Sequence, residues 1–127
     1  MKGLLGKIAL FSLAAVLFLG LSTASAASKP KIDSFSKKTS SSVTLKLIYD
    51  KYASKKVDIV VSVRNKDTDK TEEKTYESKK LGGSGKYSLK INDLLSNTKY
   101  SFKVKIKKHS TGGYSSWSDS QTAKTKS

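Results

Sequence analysis

The chain has 127 residues and carries 25 basic against 10 acidic side chains, a formal charge of +15, with no cysteine. This length allows one ordinary domain, and the lack of cysteine excludes disulfides, thiol catalysis and cysteine-based metal sites. A net positive charge of this size favours anionic partners.

The N-terminal segment has the three parts of a secretory signal peptide. Lys2 and Lys7 make its beginning basic, residues 8–21 form an apolar run, and residues 24–26 read Ala-Ser-Ala, a small-residue cleavage signal. The run is shorter than the ~20 residues that span a membrane. We therefore expect residues 1–26 to be a cleaved signal peptide, which lowers the formal charge from +15 to +13.

Residues 27–127 are expected to form a single secreted, monomeric domain with no transmembrane segment. Their apolar residues alternate with polar ones at a period of two, which is typical of half-buried antiparallel strands. Seven short strands in about 100 residues predict an all-β fold, a seven-stranded antiparallel β-sandwich with Greek-key connections. In chain order, the predicted strands are 32–35, 43–49, 57–64, 74–77, 87–91, 100–106 and 118–124.

Several stretches of this domain resemble the fibronectin type III family. They are Pro30–Ile32, Ser42–Leu45, Leu94, Asn97–Val104 and Thr122–Thr125, within residues 29–126. The resemblance implies an immunoglobulin-like sandwich. It also implies that Tyr100 is the tyrosine corner of the fold, with its hydroxyl bonded to the backbone near Leu94.

The stretch Tyr114-Ser115-Ser116-Trp117-Ser118 resembles the Trp-Ser-x-Trp-Ser box of cytokine-receptor type III domains. In that family the box lies beside the sixth strand, and its aromatic rings alternate with cationic side chains. The resemblance implies that Lys103, Lys105 and Arg64 supply the cations, each contact stabilising by about 0.5–1 kcal/mol. Trp117 is therefore interpreted as a structural residue that holds the last strand in place.

Catalytic chemistry has little support in this sequence. His109 is the only histidine, and neither a Gly-x-Ser-x-Gly elbow nor a phosphate-binding glycine loop occurs. Residues 67–78 begin like a calcium loop but lack its glycine at the sixth place and its glutamate at the twelfth, which favours a solvated turn. We expect no catalytic residue, no cofactor and no metal site.

The distribution of charge predicts a binding surface once the type III topology is assumed. In that topology the second, fourth and sixth loops gather at one pole of the sandwich, whereas half of the ten acids fall between Asp67 and Glu77, at the other pole. The candidate binding residues of the basic pole are Lys51, Tyr52, Lys55, Lys56, Lys79, Lys80, Lys108, His109 and Tyr114. Lysine-rich outer faces are expected from Lys99, Lys103, Lys105 and Lys107 on one sheet and Lys46, Lys86 and Lys90 on the other.

The type of basic side chain indicates the type of partner. Arg64 is the only arginine, and lysine is a point charge suited to diffuse attraction rather than to the reading of bases. We predict a non-enzymatic module that adheres to an anionic polymer at the cell surface: teichoic acid, acidic polysaccharide or extracellular DNA. The alternatives are recognition of a surface protein through the loop pole, and an antimicrobial action on membranes, which the lack of an amphipathic helix disfavours. The lysines can also serve solubility alone.

Overall fold

The computed structural model describes residues 29–127; the predicted signal peptide and its cleavage site lie outside the described residues. Seven strands form, and one 3-10 turn, Asp50–Tyr52, follows the second of them. The strands are β1 (Lys31–Lys38), β2 (Val43–Ile48), β3 (Lys56–Asn65), β4 (Thr71–Lys80), β5 (Lys86–Ile91), β6 (Lys99–Lys108) and β7 (Gln121–Lys124). Across residues 29–127, no helix has the length and apolar character needed to cross a membrane.

The strands divide into two antiparallel sheets, one with the order β1-β2-β5 and the other with the order β4-β3-β6-β7. The inward side chains of both sheets form one continuous hydrophobic cluster. The predicted seven-stranded antiparallel β-sandwich is therefore confirmed, with one sheet of three strands and one of four.

The core follows from the alternation along β2, β3 and β6, because a period of two places every second side chain on the same face of a sheet. Phe102 is fully buried, and its ring centroid lies 5.8 Å from that of Phe35. Each buried aliphatic or aromatic side chain of this kind stabilises the fold by about 1.5–3 kcal/mol. The other large side chains with no more than 2% exposure are Ile32, Val43, Leu45, Leu47, Val57, Ile59, Val61, Leu81, Ile91, Val104 and Ile106.

Three strands differ from their predicted extents by three residues at one end or both. In the three-stranded sheet, β1 runs over Lys31–Lys38 rather than residues 32–35. β4 runs over Thr71–Lys80 rather than residues 74–77, and β7 runs over Gln121–Lys124 rather than residues 118–124. β4 has β3 as its single strand partner, and most of its side chains are exposed, so its sequence lacks clear alternation. Charged residues on an edge strand also discourage pairing with other chains.

Tyr100 fixes the connection between β5 and β6 at the pole opposite the candidate binding loops. Its hydroxyl accepts a hydrogen bond of 2.8 Å from the backbone N–H of Leu95, and the neighbouring Leu94 is buried. Tyr100 itself is only 5% exposed, so this bond forms where water is largely excluded. This is the geometry that defines a tyrosine corner.

Candidate functional site

Three loops meet at the pole where β2, β4 and β6 end, and backbone hydrogen bonds join them. The N–H of Ser54 donates to the carbonyl of Gly82 at 2.9 Å, and that of Leu81 donates to the carbonyl of Lys55 at 3.0 Å. The N–H of His109 donates to the carbonyl of Lys56 at 3.0 Å. The loops therefore form one connected platform.

The lysines of this platform lie close to one another because of the strand register. Lys56 is the direct cross-strand partner of Lys80, and Val57 is paired with Lys79 on one side and Lys108 on the other. Like charges that face each other across a sheet are destabilising. We call the set Lys51, Tyr52, Lys55, Lys56, Lys79, Lys80, Lys108 and His109 the basic pole.

The six lysines of this pole have no carboxylate partners in the part of the chain that the structure describes. Within residues 29–127, none of its six lysines lies within 4 Å of an Asp or Glu oxygen. The ammonium of Lys51 lies 5.6 Å from the ring centroid of Tyr52. An anion that approached this surface would therefore not have to displace an existing ion pair.

Tyr52 is a supporting residue more than a free aromatic surface. Its ring contacts Tyr49 edge to face, with centroids 5.3 Å apart, and packs half-buried against the core. Burial, followed by the proximity of Tyr52 and Asp50, raises the pKa of the Tyr49 hydroxyl above its usual value. The Tyr49 hydroxyl therefore stays uncharged, and the contact between the two rings anchors the 3-10 turn that carries Lys51.

His109 is engaged by a buried carboxylate that sequence reasoning did not single out. Its Nδ1 lies 2.7 Å from Oδ1 of Asp58, and the Asp58 side chain is only 8% exposed. Asp58 also accepts the backbone N–H of Ser78 at 3.0 Å and lies 3.7 Å from the ammonium of Lys107. His109 thus belongs to the framework under the pole, where Asp58 holds its ring.

The pKa of Asp58 reflects this surrounding structure. Burial alone would raise it, but the hydrogen bond from Ser78, the hydrogen bond and charge of His109, and the charge of Lys107 together lower it below 3.8. Asp58 is therefore ionised at neutral pH and ties β3, β4 and β6 together. A sequence signal for this role is weak, because Asp58 and His109 are 51 positions apart.

The aromatic residues of the loop before β7 stack with lysines on the outer face of β6. The ammonium of Lys103 lies 5.0 Å from the Trp117 ring centroid, and that of Lys105 lies 4.7 Å from Trp117 and 5.0 Å from Tyr114. Lys107 follows at 5.5 Å from Tyr114. We call this alternation of Lys103, Trp117, Lys105, Tyr114 and Lys107 the cation–aromatic ladder.

Two placements differ from the sequence-based expectations. Tyr114 is in the β6–β7 loop, but its ring lies beside Lys105 and Lys107 of β6, because the backbone of the next residue, Ser115, bonds to Ile106. Arg64 does not reach Trp117; its guanidinium donates to the carboxylate of Asp69 in the β3–β4 turn. Lys107, instead of Arg64, is the third cationic side chain that stacks with these rings.

Serines fasten the same loop to the backbone of β6. The N–H of Ser118 donates to the carbonyl of Val104 at 2.7 Å, while its hydroxyl accepts the Val104 N–H at 2.9 Å. Ser115 repeats the pattern with Ile106, at 2.8 Å and 3.0 Å. The loop thus satisfies β6 backbone groups beyond the end of the short β7, which explains why serines alternate with the aromatic residues.

Replacing Trp117 tests this structural interpretation. We expect Trp117→Ala to lower the free energy of unfolding by about 1.5 kcal/mol, since two cation–aromatic contacts and half-buried ring area are lost. Binding to an anionic ligand should change little. Urea denaturation followed by far-UV circular dichroism measures the loss. Ser116→Ala, an exposed position of the same loop, is the control, and an equal loss there would contradict the assignment.

The outer face of the three-stranded sheet is also basic. Lys46, Lys86 and Lys90 are exposed there as predicted, and the register adds Lys31 and Lys37 of β1 to the same face. Two register shifts in β1, between Ile32 and Ser34 and between Phe35 and Lys37, break its alternation. Both lysines lie outside the predicted strand, residues 32–35, so the sequence did not place them on this face.

No clustering of metal-binding side chains occurs in the part of the chain that the structure describes: no group of three or more His, Cys, Asp or Glu residues is placed to hold an ion. In the segment that begins like a calcium loop, Asp69 is occupied by Arg64. The Asn65 side chain accepts the backbone N–H groups of Asp67 and Thr68, which forms an ordinary polar turn.

Comparison with solved structures agrees with the architecture. A structure described as that of a myokine superposes with a TM-score of 0.61 at 18% identity, over 79% of this chain and 98% of that chain. The chicken interferon gamma receptor alpha chain gives 0.58 at 11% identity, over 77% of this chain and 50% of the receptor, so this chain spans about half its length. The sensor domain of the anti-sigma factor RsgI4 of Pseudobacteroides cellulosolvens gives 0.50 at 19%, over 77% of this chain and 74% of that chain.

At these identities the likeness shows the fold alone, a β-sandwich. No family model matches the chain, and no curated protein matches it. The residues of the basic pole must therefore be judged by their own geometry.

Proposed function

We propose that this chain is a secreted, non-enzymatic binding module of the fibronectin type III kind that attaches to an anionic polymer of the cell surface or extracellular matrix through its basic pole. The observation that carries the proposal is the set of six pole lysines, none of which has a carboxylate partner within residues 29–127. The strand register brings four of them together: Lys56, Lys79, Lys80 and Lys108. A polyanion would relieve their mutual repulsion.

The surroundings of the pole support a binding role. The three loops are hydrogen-bonded to one another, and Asp58 holds the underlying strands, so the lysines are presented on a preorganised platform. A charge of +13 on the secreted domain attracts a polyanion before contact, and bound lysines release its counterions.

A second candidate function is recognition of a protein partner at the same pole. It is favoured by the connected loops and by the fold, since two of the similar structures are a receptor chain and a sensor domain by name. Shape and hydrogen bonding would then dominate over charge, and binding would depend only weakly on salt.

Neutralising the pole distinguishes these functions. In the variant with Lys55, Lys56, Lys79 and Lys80 replaced by Gln, we expect retention on purified cell walls to fall at least tenfold at about 0.1 M salt, because about four phosphate or carboxylate contacts disappear. For the unmodified domain, log affinity should fall linearly with log salt, and removal of the anionic polymers from the walls should abolish retention.

The matched control removes the same charge from the opposite pole, with Lys66, Lys70, Lys99 and Lys126 replaced by Gln. All four are exposed, so folding should be unaffected. Equal losses in both variants would place the attraction in the overall charge instead of the basic pole. Retention that is insensitive to salt and to polymer removal would favour the protein partner.

A further inference from the structure

Five exposed lysines on the outer face of the three-stranded sheet form a regular array. The register joins them in three rows: Lys31–Ile48–Lys86, Ser34–Lys46–Ser88 and Lys37–Thr44–Lys90. Four lysines therefore occupy the corners of a rectangle of roughly 10 by 13 Å, given the usual strand spacing and rise, and Lys46 lies at its centre.

The array is nearly free of acidic groups. Asp33 is the only acidic residue of β1, β2 and β5, and its carboxylate lies 3.9 Å from the ammonium of Lys31. Beside Lys46 the face has a shallow depression of about 230 Å³, lined by Asp33, Lys46, Ile48, Lys86 and Ser88 together with Leu47 and Tyr87.

The array continues into the basic pole. The carbonyl of Lys86 accepts the N–H of Gly82, and the carbonyl of Gly85 accepts that of Tyr49, so the first row adjoins the loops of the pole. Lys51 follows directly in the 3-10 turn. Lysines thus run from the far end of the three-stranded sheet, over its rim, to the pole.

The opposite face of the sandwich offers no comparable path. There Lys103, Lys105 and Lys107 are half-buried, and their ammonium groups lie over the rings of the cation–aromatic ladder. Lys107 also faces the ionised Asp58. An anion would have to compete with these contacts, so the uncommitted charge lies on the three-stranded side.

We propose that the outer face of the three-stranded sheet and the basic pole form one continuous track for a linear polyol phosphodiester chain of the teichoic acid kind; this inference rests on the proposed function. Lysine point charges tolerate the irregular spacing of phosphates on a flexible chain. The hydroxyls of Ser34, Ser88 and Thr44 beside Lys46 can bond to polyol hydroxyls and phosphate oxygens.

Nucleic acid fits the track less well. The aromatic residues of these strands, Phe35 and Tyr87, pack against the core, so the face has no platform on which bases could stack. The track also contains no arginine, the residue that most often reads guanine edges. A chain whose only recurring features are phosphates and hydroxyls matches what the face presents.

The test measures binding of synthetic glycerol phosphate chains across a salt series. In the variant with Lys37, Lys46 and Lys90 replaced by Gln, the slope of log affinity against log salt for chains of about 30 repeats should fall by about 2, since about three phosphate contacts are lost. The affinity of these chains should fall at least tenfold at low salt. Chains of about 3 repeats, which the pole alone accommodates, should bind as they do to the unmodified domain.

Replacement of Lys66, Lys70 and Lys99 by Gln is the control with the same loss of charge. An equal weakening of long chains in this control, or an equal weakening of short and long chains in the Lys37/Lys46/Lys90 variant, would overturn the continuous track. Tighter binding of duplex DNA at matched phosphate concentration would overturn the polyol phosphate assignment.

The outcomes also separate the track from the function on which it rests. If the unmodified domain binds long chains and only the pole variant loses them, the track is wrong and the proposed function stands. If the unmodified domain binds none of the chains, whatever the salt concentration, both fail.

Discussion

Gly85→Ala should lower the free energy of unfolding by about 3 kcal/mol or more, placing it among the most damaging single substitutions in the domain. Gly85 has a φ of +78°, a conformation that costs a residue with a Cβ about 1 kcal/mol. A Cβ built there would also lie 2.6 Å from Cα of Asp50 and 2.7 Å from its nitrogen. These are backbone atoms, which cannot rotate aside.

Relief of that clash would separate two loops of the basic pole. The carbonyl of Gly85 accepts the N–H of Tyr49 at 2.8 Å, and this bond would lengthen or break as the chains move apart. We therefore expect weaker retention on anionic polymer in addition to lower stability. Chemical denaturation and the cell-wall retention assay measure the two effects.

Gly112→Ala provides the matched control. Gly112 has a similar φ of +72°, but a Cβ there would meet nothing within 4 Å. The free energy of unfolding of Gly112→Ala should fall only by the cost of the positive φ, about 1 kcal/mol. Equal losses in the two variants would show that close packing of the pole loops contributes little.

Asp58→Asn should lower the free energy of unfolding at neutral pH by about 2–3 kcal/mol, because hydrogen bonds to a buried charge are lost or weakened. The amide can still accept the N–H of Ser78, but it no longer attracts His109 and Lys107. This substitution keeps the side-chain volume and thus isolates the charge.

The same carboxylate predicts a pH dependence. The folded-state pKa of Asp58 lies below its ordinary value of 3.8, so its stabilising contribution is fully present above that value. It is lost as the pH falls from about 4 through the folded-state pKa. The stability difference between the wild type and Asp58→Asn should therefore shrink as the pH falls below about 4.

Thermal unfolding of the wild type and of Asp58→Asn, from neutral pH to below about pH 4, checks the direction of this pH dependence. Asp119→Asn is the control. Asp119 pairs with Lys29 at the surface, and its side chain is 83% exposed, so its removal should have little effect at any pH. A difference between wild type and Asp58→Asn that grows on acidification would contradict the assigned direction.

The sequence predicts the sandwich well where one face of a strand is buried. β2, β3, β5 and β6 lie beside the core and show the alternation that burial imposes, and their predicted bounds differ from the observed ones by at most two residues. β4 has no such constraint, because its charged side chains are exposed at the sheet edge. Its extent depends on hydrogen bonds to β3, which a single sequence does not display.

The candidate site likewise has one part that the sequence predicts and one part that it does not. The grouping of Lys56, Lys79, Lys80 and Lys108 follows from topology, and the resemblance to type III domains was sufficient to anticipate it. The Asp58–Ser78 hydrogen bond lies at a register shift between β3 and β4, and the Asp58–His109 contact joins residues 51 positions apart. No local pattern encodes such a shift.

The chain contains a single tryptophan, and it lies outside the core, between two ammonium groups of the ladder. Its fluorescence therefore reports on the loop that fastens β6, whereas circular dichroism reports on the sheets as a whole. Coincident transitions by the two probes would mean that the loop and the sheets unfold as one cooperative unit. An earlier fluorescence transition would identify this C-terminal region as the part of the domain that opens first under stress.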